Sequence, residues 1–137
     1  MQFITDRTEA DVLMGTAKGM YQDADLNRVE EAVAEISAQF HSLGIGIELV
    51  VKTDWKPPED YSPESWVTEK QMSRYLENVA AIRSLFPVAI QLPQSMSDLT
   101  WEDANNIEKI LKAAAERIAA IKLSYRYSGE FYAGEEK

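Results

Sequence analysis

Two apolar seams with helical spacing constrain the fold of this chain more than any other feature. In both seams the apolar residues follow one another at steps of 3, 4, 3, 4 and 3 residues. That spacing keeps every member of a seam on one face of an α-helix. The seams are Leu26, Val29, Val33, Ile36, Phe40 and Leu43, and then Ala104, Ile107, Leu111, Ala114, Ile118 and Ile121. They predict two long helices that bury these faces against other parts of the chain.

Capping signals predict two further helices. Thr8 and Asp11 have the spacing of a capping box, and so do Thr68 and Gln71. An apolar stripe with helical spacing follows the second box and stops at Pro87. We therefore predict a mainly α protein, a small helical bundle of about four helices, in which one domain spans residues 1–137. The expected helices cover residues 8–18, 24–43, 68–86 and 100–122.

Two segments have the character of β-strands. Residues 46–51 are rich in β-branched side chains and follow Gly44, and residues 123–133 alternate aromatic with polar residues around Ser128 and Gly129. Together they predict a minor antiparallel sheet that pairs 46–51 with 123–133. A bundle without this sheet is the alternative.

The composition excludes several classes of function. The 137 residues contain 14 Lys and Arg against 23 Asp and Glu, which gives a net charge of −9, together with one His and no Cys. Nucleic-acid and anionic-membrane binding need clustered cations, so neither partner is expected. Thiolate metal sites and a Cys nucleophile are impossible without cysteine. We expect no cofactor and no bound metal.

One acidic segment has part of a calcium-loop pattern. Asp23, Asp25 and Asn27 match the first three ligand positions, but Arg28 stands where the loop requires glycine. Ala34 stands where it requires a bidentate glutamate. The acids are therefore interpreted as the start of a helix.

The loop over residues 52–67 combines acids with aromatic rings. Acids beside aromatic platforms suit a sugar-handling site or a small lytic enzyme, with Asp54 or Glu59 as the first candidate acids. The alternative, which we favour, is that Trp55 and Trp66 fold down and seal the end of the bundle. No pattern in the sequence fixes two acids at catalytic separation, so we expect no enzymatic activity.

A short motif occurs twice, at the starts of the two seam helices. Asp25-Leu-Asn27-Arg-Val-Glu30 and Asp103-Ala-Asn105-Asn-Ile-Glu108 share three polar positions. Asn27 and Asn105 are expected to tie neighbouring loops to the helix starts through side-chain hydrogen bonds. A structural role at the helix starts is accordingly assigned to Asp25, Asn27, Arg28, Glu30, Asn105 and Glu108.

Two aromatic regions are candidates for contact with a partner. One is the 52–67 loop, and the other is the end of the chain, where an edge strand would leave backbone groups unpaired. Tyr and Arg are also common at interface hot spots. The candidate contact residues are Trp55, Tyr61, Trp66, Tyr125, Arg126, Tyr127, Phe131 and Tyr132.

Seven phrases, taken in order, resemble a family of segments in prophage-encoded proteins of gut Firmicutes, often found in tail or minor structural proteins. The phrases are Thr5-Asp-Arg-Thr8, Lys18-Gly-Met-Tyr21, Asp25-Leu-Asn-Arg-Val-Glu30, Lys52-Thr-Asp-Trp55, Gln71-Met-Ser-Arg-Tyr-Leu76, Ala104-Asn-Asn-Ile-Glu108 and Arg126-Tyr-Ser-Gly-Glu130.

The resemblance implies a non-enzymatic, virion-associated structural or protein-interaction module related to the phage tail. Its partners would be other phage structural proteins or further copies of itself. It would be made in the bacterial cytoplasm and carried in the assembled virion. The residues alone leave a carbohydrate-binding module for cell-surface glycans, or a lytic-enzyme-associated domain, as the alternative, with the Trp55–Trp66 loop as its site.

Overall fold

The computed structural model describes residues 1–57 and 68–135, and for residues 125–135 it describes the backbone only. These ranges contain four α-helices and no β-strand. The helices are α1 (Glu9–Met14), α2 (Asp23–Ser42), α3 (Glu69–Arg83) and α4 (Trp101–Glu135), and a short 3₁₀ turn, Ala17–Gly19, follows α1. The mainly helical architecture predicted from the seams is confirmed.

The predicted capping boxes set where α1 and α3 begin. At α3, Gln71 N donates to Thr68 Oγ1 at 3.1 Å, and Thr68 N donates to Gln71 Oε1 at 3.1 Å. The helix ends at Arg83, three residues before the predicted end, because the residue that precedes Pro87 is sterically kept out of the helical region. Helix α1 is also shorter than predicted, because Gly15 adopts a left-handed φ of 65° and terminates it.

The core lies between α2, α3 and α4, which pack against one another in all three pairs. Both seams face inward: Ile36 and Ile107 are fully buried, as is Val79 on α3. Burial of one such side chain contributes about 1.5–3 kcal/mol, so the three faces together provide most of the stabilisation of the fold. The buried apolar residues of the three helices are Val29, Ala32, Val33, Ile36, Phe40, Tyr75, Leu76, Val79, Ile82, Ala104, Ile107, Ile110, Leu111, Ala114 and Ile118.

The predicted minor sheet is wrong. Residues 45–51 do alternate, since Ile45, Ile47 and Leu49 pack against the core whereas Glu48 and Val50 face solvent. Within the described ranges, however, no second strand pairs with this extended segment. It is held instead by side chains of α2 and α3, as shown below.

The segment predicted to be the partner strand, residues 123–133, continues α4 to Glu135. The sequence after Thr100 contains no proline, so every residue keeps the backbone N–H that a helix needs. Gly129 costs a helix only about 1 kcal/mol relative to alanine. Extending an existing helix avoids the cost of nucleation, so neither Gly129 nor Gly134 ends it.

Candidate functional site

Two asparagines near the helix starts clamp two extended segments by their backbones. Asn105 on α4 accepts from Arg7 N at 3.0 Å and donates to the Arg7 carbonyl at 2.9 Å. Asn27 on α2 accepts from Trp55 N at 2.8 Å and donates to the Trp55 carbonyl at 2.9 Å. Each amide therefore satisfies both backbone groups of one residue, which is the loop-tying role expected of these asparagines.

A glutamate three residues after each asparagine completes the clamp. Glu108 Oε1 accepts from Ile4 N at 3.0 Å, and Glu30 Oε2 accepts from Lys52 N at 3.1 Å. In both cases the bound amide lies three residues before the residue that the asparagine holds. The two clamps are therefore equivalent, and in each the extended segment runs antiparallel to the helix.

The repeat includes the clamped segments themselves. Thr5 and Asp6 precede Arg7, and Thr53 and Asp54 precede Trp55, so the same dipeptide stands before both clamped residues. This dipeptide was the available sequence signal for the pairing of Arg7 with α4. The helix-start motif alone does not reveal it, because the partner lies about a hundred residues away.

Glu108 is also the centre of a buried ionic cluster. Its carboxylate accepts from Arg7 Nη2 at 2.7 Å and from Arg28 Nε and Nη2 at 2.7 and 2.9 Å. Asp25 Oδ1 accepts from the same two arginines, at 3.2 Å from Arg7 and 2.5 Å from Arg28. Two guanidinium and two carboxylate groups balance in charge, so the cluster has no net charge with which to bind an ion. The hydrogen bonds from Arg28 to Glu108 raise the pKa of Arg28 further above its usual value.

Glu30 holds a second ionic contact beside the other clamp. Arg74 on α3 binds it through both ends, with Nη1–Oε1 at 2.9 Å and Nη2–Oε2 at 2.8 Å. The Trp55 indole Nε1 donates to Glu30 Oε2 at 2.9 Å. Arg74 Nη1 also donates to the Val50 carbonyl at 2.7 Å, which helps to hold the extended segment against α2 and α3. The bidentate geometry of Arg74 and Glu30 is the strong form of an arginine–carboxylate pair.

A pair of tyrosines joins the N-terminal region to α3. The Tyr21 and Tyr75 hydroxyls form a short hydrogen bond, and the Arg7 guanidinium lies 5.6 Å from the centre of the Tyr21 ring. Tyr75 is 1% exposed. Burial, followed by the neighbouring Tyr21 hydroxyl and the nearby carboxylates, raises the pKa of Tyr75 well above 10.

We expect this shift to appear as a loss of stability in alkali. Below about pH 10 the phenol is neutral in both the folded and the unfolded chain, so the contribution of the shift is fully present. Above that pH the unfolded chain releases the Tyr75 proton while the folded chain retains it, so stability falls. The proton that only the unfolded chain releases lowers the free energy of unfolding by about 1.4 kcal/mol per pH unit. In urea unfolding between about pH 9 and 11, Tyr75→Phe should show a shallower slope than the parent, and equal slopes would contradict the assignment.

The six polar residues assigned to the helix starts all belong to these clamps and ion pairs. They are Asp25, Asn27, Arg28, Glu30, Asn105 and Glu108. Sequence reasoning missed Arg7 and Arg74, the cations that face the two glutamates. Arg7 Nε is a buried side-chain nitrogen without a hydrogen-bond partner among the described residues.

The candidate contact residues have different outcomes. Trp55 is 3% exposed, so its ring presents no surface to a protein or a sugar, and its place among the contact residues is wrong. Tyr61 and Trp66 lie outside the described residues. The other candidates belong to the helical backbone of α4, so the argument that placed them on an edge strand fails. They are Tyr125, Arg126, Tyr127, Phe131 and Tyr132.

The structure does not support Asp54 as a general acid. Asp54, one of the two candidate acids, is exposed and pairs with Lys52 at 2.8 Å. That contact lowers the pKa of Asp54, whereas a general acid at neutral pH needs a raised one. Glu59, the other candidate acid, lies outside the described residues. No group of His, Asp or Glu side chains in the described ranges has the arrangement of a metal site.

Among residues 1–57 and 68–135, no helix has the length and apolar content needed to cross a membrane.

Comparisons with known proteins find no relative of this chain. No protein-family model matches the chain, no curated protein matches its sequence, and no solved structure matches its fold.

Proposed function

We propose that this protein is a non-enzymatic module of a phage or prophage virion, related to the tail, that works by binding other structural proteins. The observation that carries the proposal is where the resemblance phrases lie. Thr5–Thr8 and Lys52–Trp55 contain the clamped residues, whereas Asp25–Glu30 and Ala104–Glu108 contain the clamps. A fifth phrase, Gln71–Leu76, supplies Arg74 and Tyr75.

The phrases that carry the resemblance therefore contribute residues that hold the chain together. Catalytic groups have to be open to a cleft, whereas Glu30 and Glu108 are buried and each is paired with arginine. Residues that only stabilise the fold suit a module that presents a binding surface to other proteins. Assembly of a phage tail depends on contacts between such surfaces.

Particle composition tests the proposal. Virions from an induced lysogen that carries this gene would be purified on a density gradient and analysed by quantitative mass spectrometry. We expect the chain to co-sediment with intact particles in a fixed ratio to a known tail protein. A chain that is abundant in the lysate but absent from intact particles would refute the virion role.

A further inference from the structure

The hairpin formed by α1 and the following 3₁₀ turn exposes apolar side chains in a run. Val12, Leu13 and Met14 are consecutive and are 46%, 79% and 79% exposed, and Met20, just after the turn, is 51% exposed. We call these four residues the apolar tip. Helix α1 contains no buried residue, so the tip contributes nothing to the core. Consecutive exposed apolar residues are a liability in a soluble domain unless they serve an interaction.

The hairpin is nevertheless held firmly. Thr16 Oγ1 donates to Asp11, at 3.3 Å to the carbonyl and 3.2 Å to Oδ1, and the left-handed Gly15 turns the chain just before Thr16. At Gly19 the backbone approaches so closely that a Cβ would lie 2.3 Å from the Asp11 carbonyl oxygen. Such a fixed hairpin presents its apolar tip in one conformation, which reduces the entropy lost on binding.

A cleft beside the tip provides a receiving surface. It has a volume of about 430 Å³ and lies between the hairpin and the start of α4. Its lining is mostly apolar or aromatic and includes Val12, Tyr21, Leu99, Trp101 and Ala104. Val12 belongs to both the tip and the cleft, so the two form one continuous apolar surface.

The border of this surface is acidic. Glu9 and Asp11 lie on α1, and Glu102 lies in the wall of the cleft. Residues 1–23 contain only two cationic side chains, of which Lys18 is paired with Asp6 at 2.7 Å. The other, Arg7, lines the cleft but is 3% exposed, and its charge is balanced by Asp25 and Glu108. Two copies of this chain would bring two acidic borders together, so the charge favours a different partner with a basic border.

We infer that the apolar tip and its cleft form the docking surface for a partner protein whose apolar contact face is bordered by lysine or arginine side chains. The inference rests on the proposed function and deepens it by naming the contact surface and the chemistry of the partner. The partner's apolar side chains enter the cleft and cover Leu13 and Met14. Its cations face Glu9, Asp11 and Glu102.

A synthetic amphipathic helix tests this surface directly. The probe is a peptide of roughly 14 residues, about four turns, with leucines on one face and lysines on the other. A scrambled peptide of identical composition is the control for charge alone. The five methionines of the chain, labelled at their methyl groups, report binding by NMR. We expect the amphipathic peptide to shift Met14 and Met20 and to leave Met72 and Met96 unchanged, whereas the scrambled peptide shifts none of them.

Matched variants decide whether the tip is responsible. Leu13→Ser with Met14→Ser should weaken peptide binding by about tenfold or more, because two apolar contacts are lost. The melting temperature should stay unchanged, since both side chains are exposed. Val50→Ser, which alters an apolar residue that is 74% exposed elsewhere, should bind like the parent.

Several results would overturn the inference. They are peptide-induced shifts confined to other methionines, binding of the amphipathic peptide to the serine variant as tight as to the parent, or binding of the scrambled peptide as tight as that of the amphipathic one. Concentration-dependent dimerisation that the serine variant abolishes would also overturn it, because a second copy would then be the occupant. Particle analysis separates this failure from failure of the proposed function. If the serine variant enters virions as well as the parent does, the virion role survives and the docking surface is refuted.

Discussion

Replacing Glu108 with glutamine is expected to lower the free energy of unfolding by about 3–5 kcal/mol, because it removes the nearer of the two carboxylates that pair with a buried cation. Glutamine preserves the volume of the side chain and removes its charge. Arg7, which is 3% exposed, then loses the carboxylate that lies 2.7 Å from its Nη2. Urea unfolding followed by circular dichroism at 222 nm measures the change.

A control and a double variant make this result specific. Glu116→Gln removes the same charge from an exposed position on α4, and its effect should stay within about 0.5 kcal/mol. Adding Arg7→Met to Glu108→Gln restores the charge balance of the cluster. The double variant should therefore lose less stability than the sum of the losses in the two single variants, Glu108→Gln and Arg7→Met. Additive losses would show that Arg7 and Glu108 are not coupled.

Replacing Ile107 with aspartate should unfold the domain. Ile107 is fully buried in the seam of α4. The change removes apolar burial, which costs about 2–5 kcal/mol, and places an unpaired carboxylate in the core at a further cost of several kcal/mol. The sum is comparable to the roughly 7–20 kcal/mol that a chain of this length has in total. Loss of the cooperative thermal transition is the expected observation.

The matched control is Ala119→Asp, which introduces the same side chain at an exposed position on the same helix. It should lose only the difference in helix propensity, under about 1 kcal/mol. If Ile107→Asp melted as cooperatively and at the same temperature as this control, the seam would be assigned to the wrong face of α4.

The helices could be predicted because their signals are local. Steps of three and four residues, as between Val33, Ile36 and Phe40, place side chains on one face whatever the rest of the chain does. Thr68 and Gln71 likewise form their capping box from residues three apart. The roles of Asn27 and Asn105 were also accessible, because the repeated motif placed the same amide at both helix starts.

The parts that failed depend on distant contacts or on ambiguous patterns. The Thr-Asp dipeptide before Arg7 indicates its pairing with α4 only by comparison with the second clamp, because one long-range ion pair leaves no periodicity in the sequence. The alternation of aromatic and polar residues after Leu123 suits a strand, but a strand needs a partner, and α4 had already been nucleated. Burial of Trp55 was the favoured interpretation, but its contact with Glu30, 25 residues earlier, has no signal in the residues around it.

The clamp between the start of the chain and α4 also has a consequence for biosynthesis. Arg7 and Glu108 are 101 residues apart. At roughly 5–20 residues per second, the ribosome needs about 5–20 s after making Arg7 before it makes Glu108. Throughout that interval the nascent N-terminal segment and the arginines of the cluster lack their main carboxylate partner. The clamp can therefore close only after the start of α4 has been made, and until then the apolar faces of α2 and α3 that pack against α4 are also uncovered.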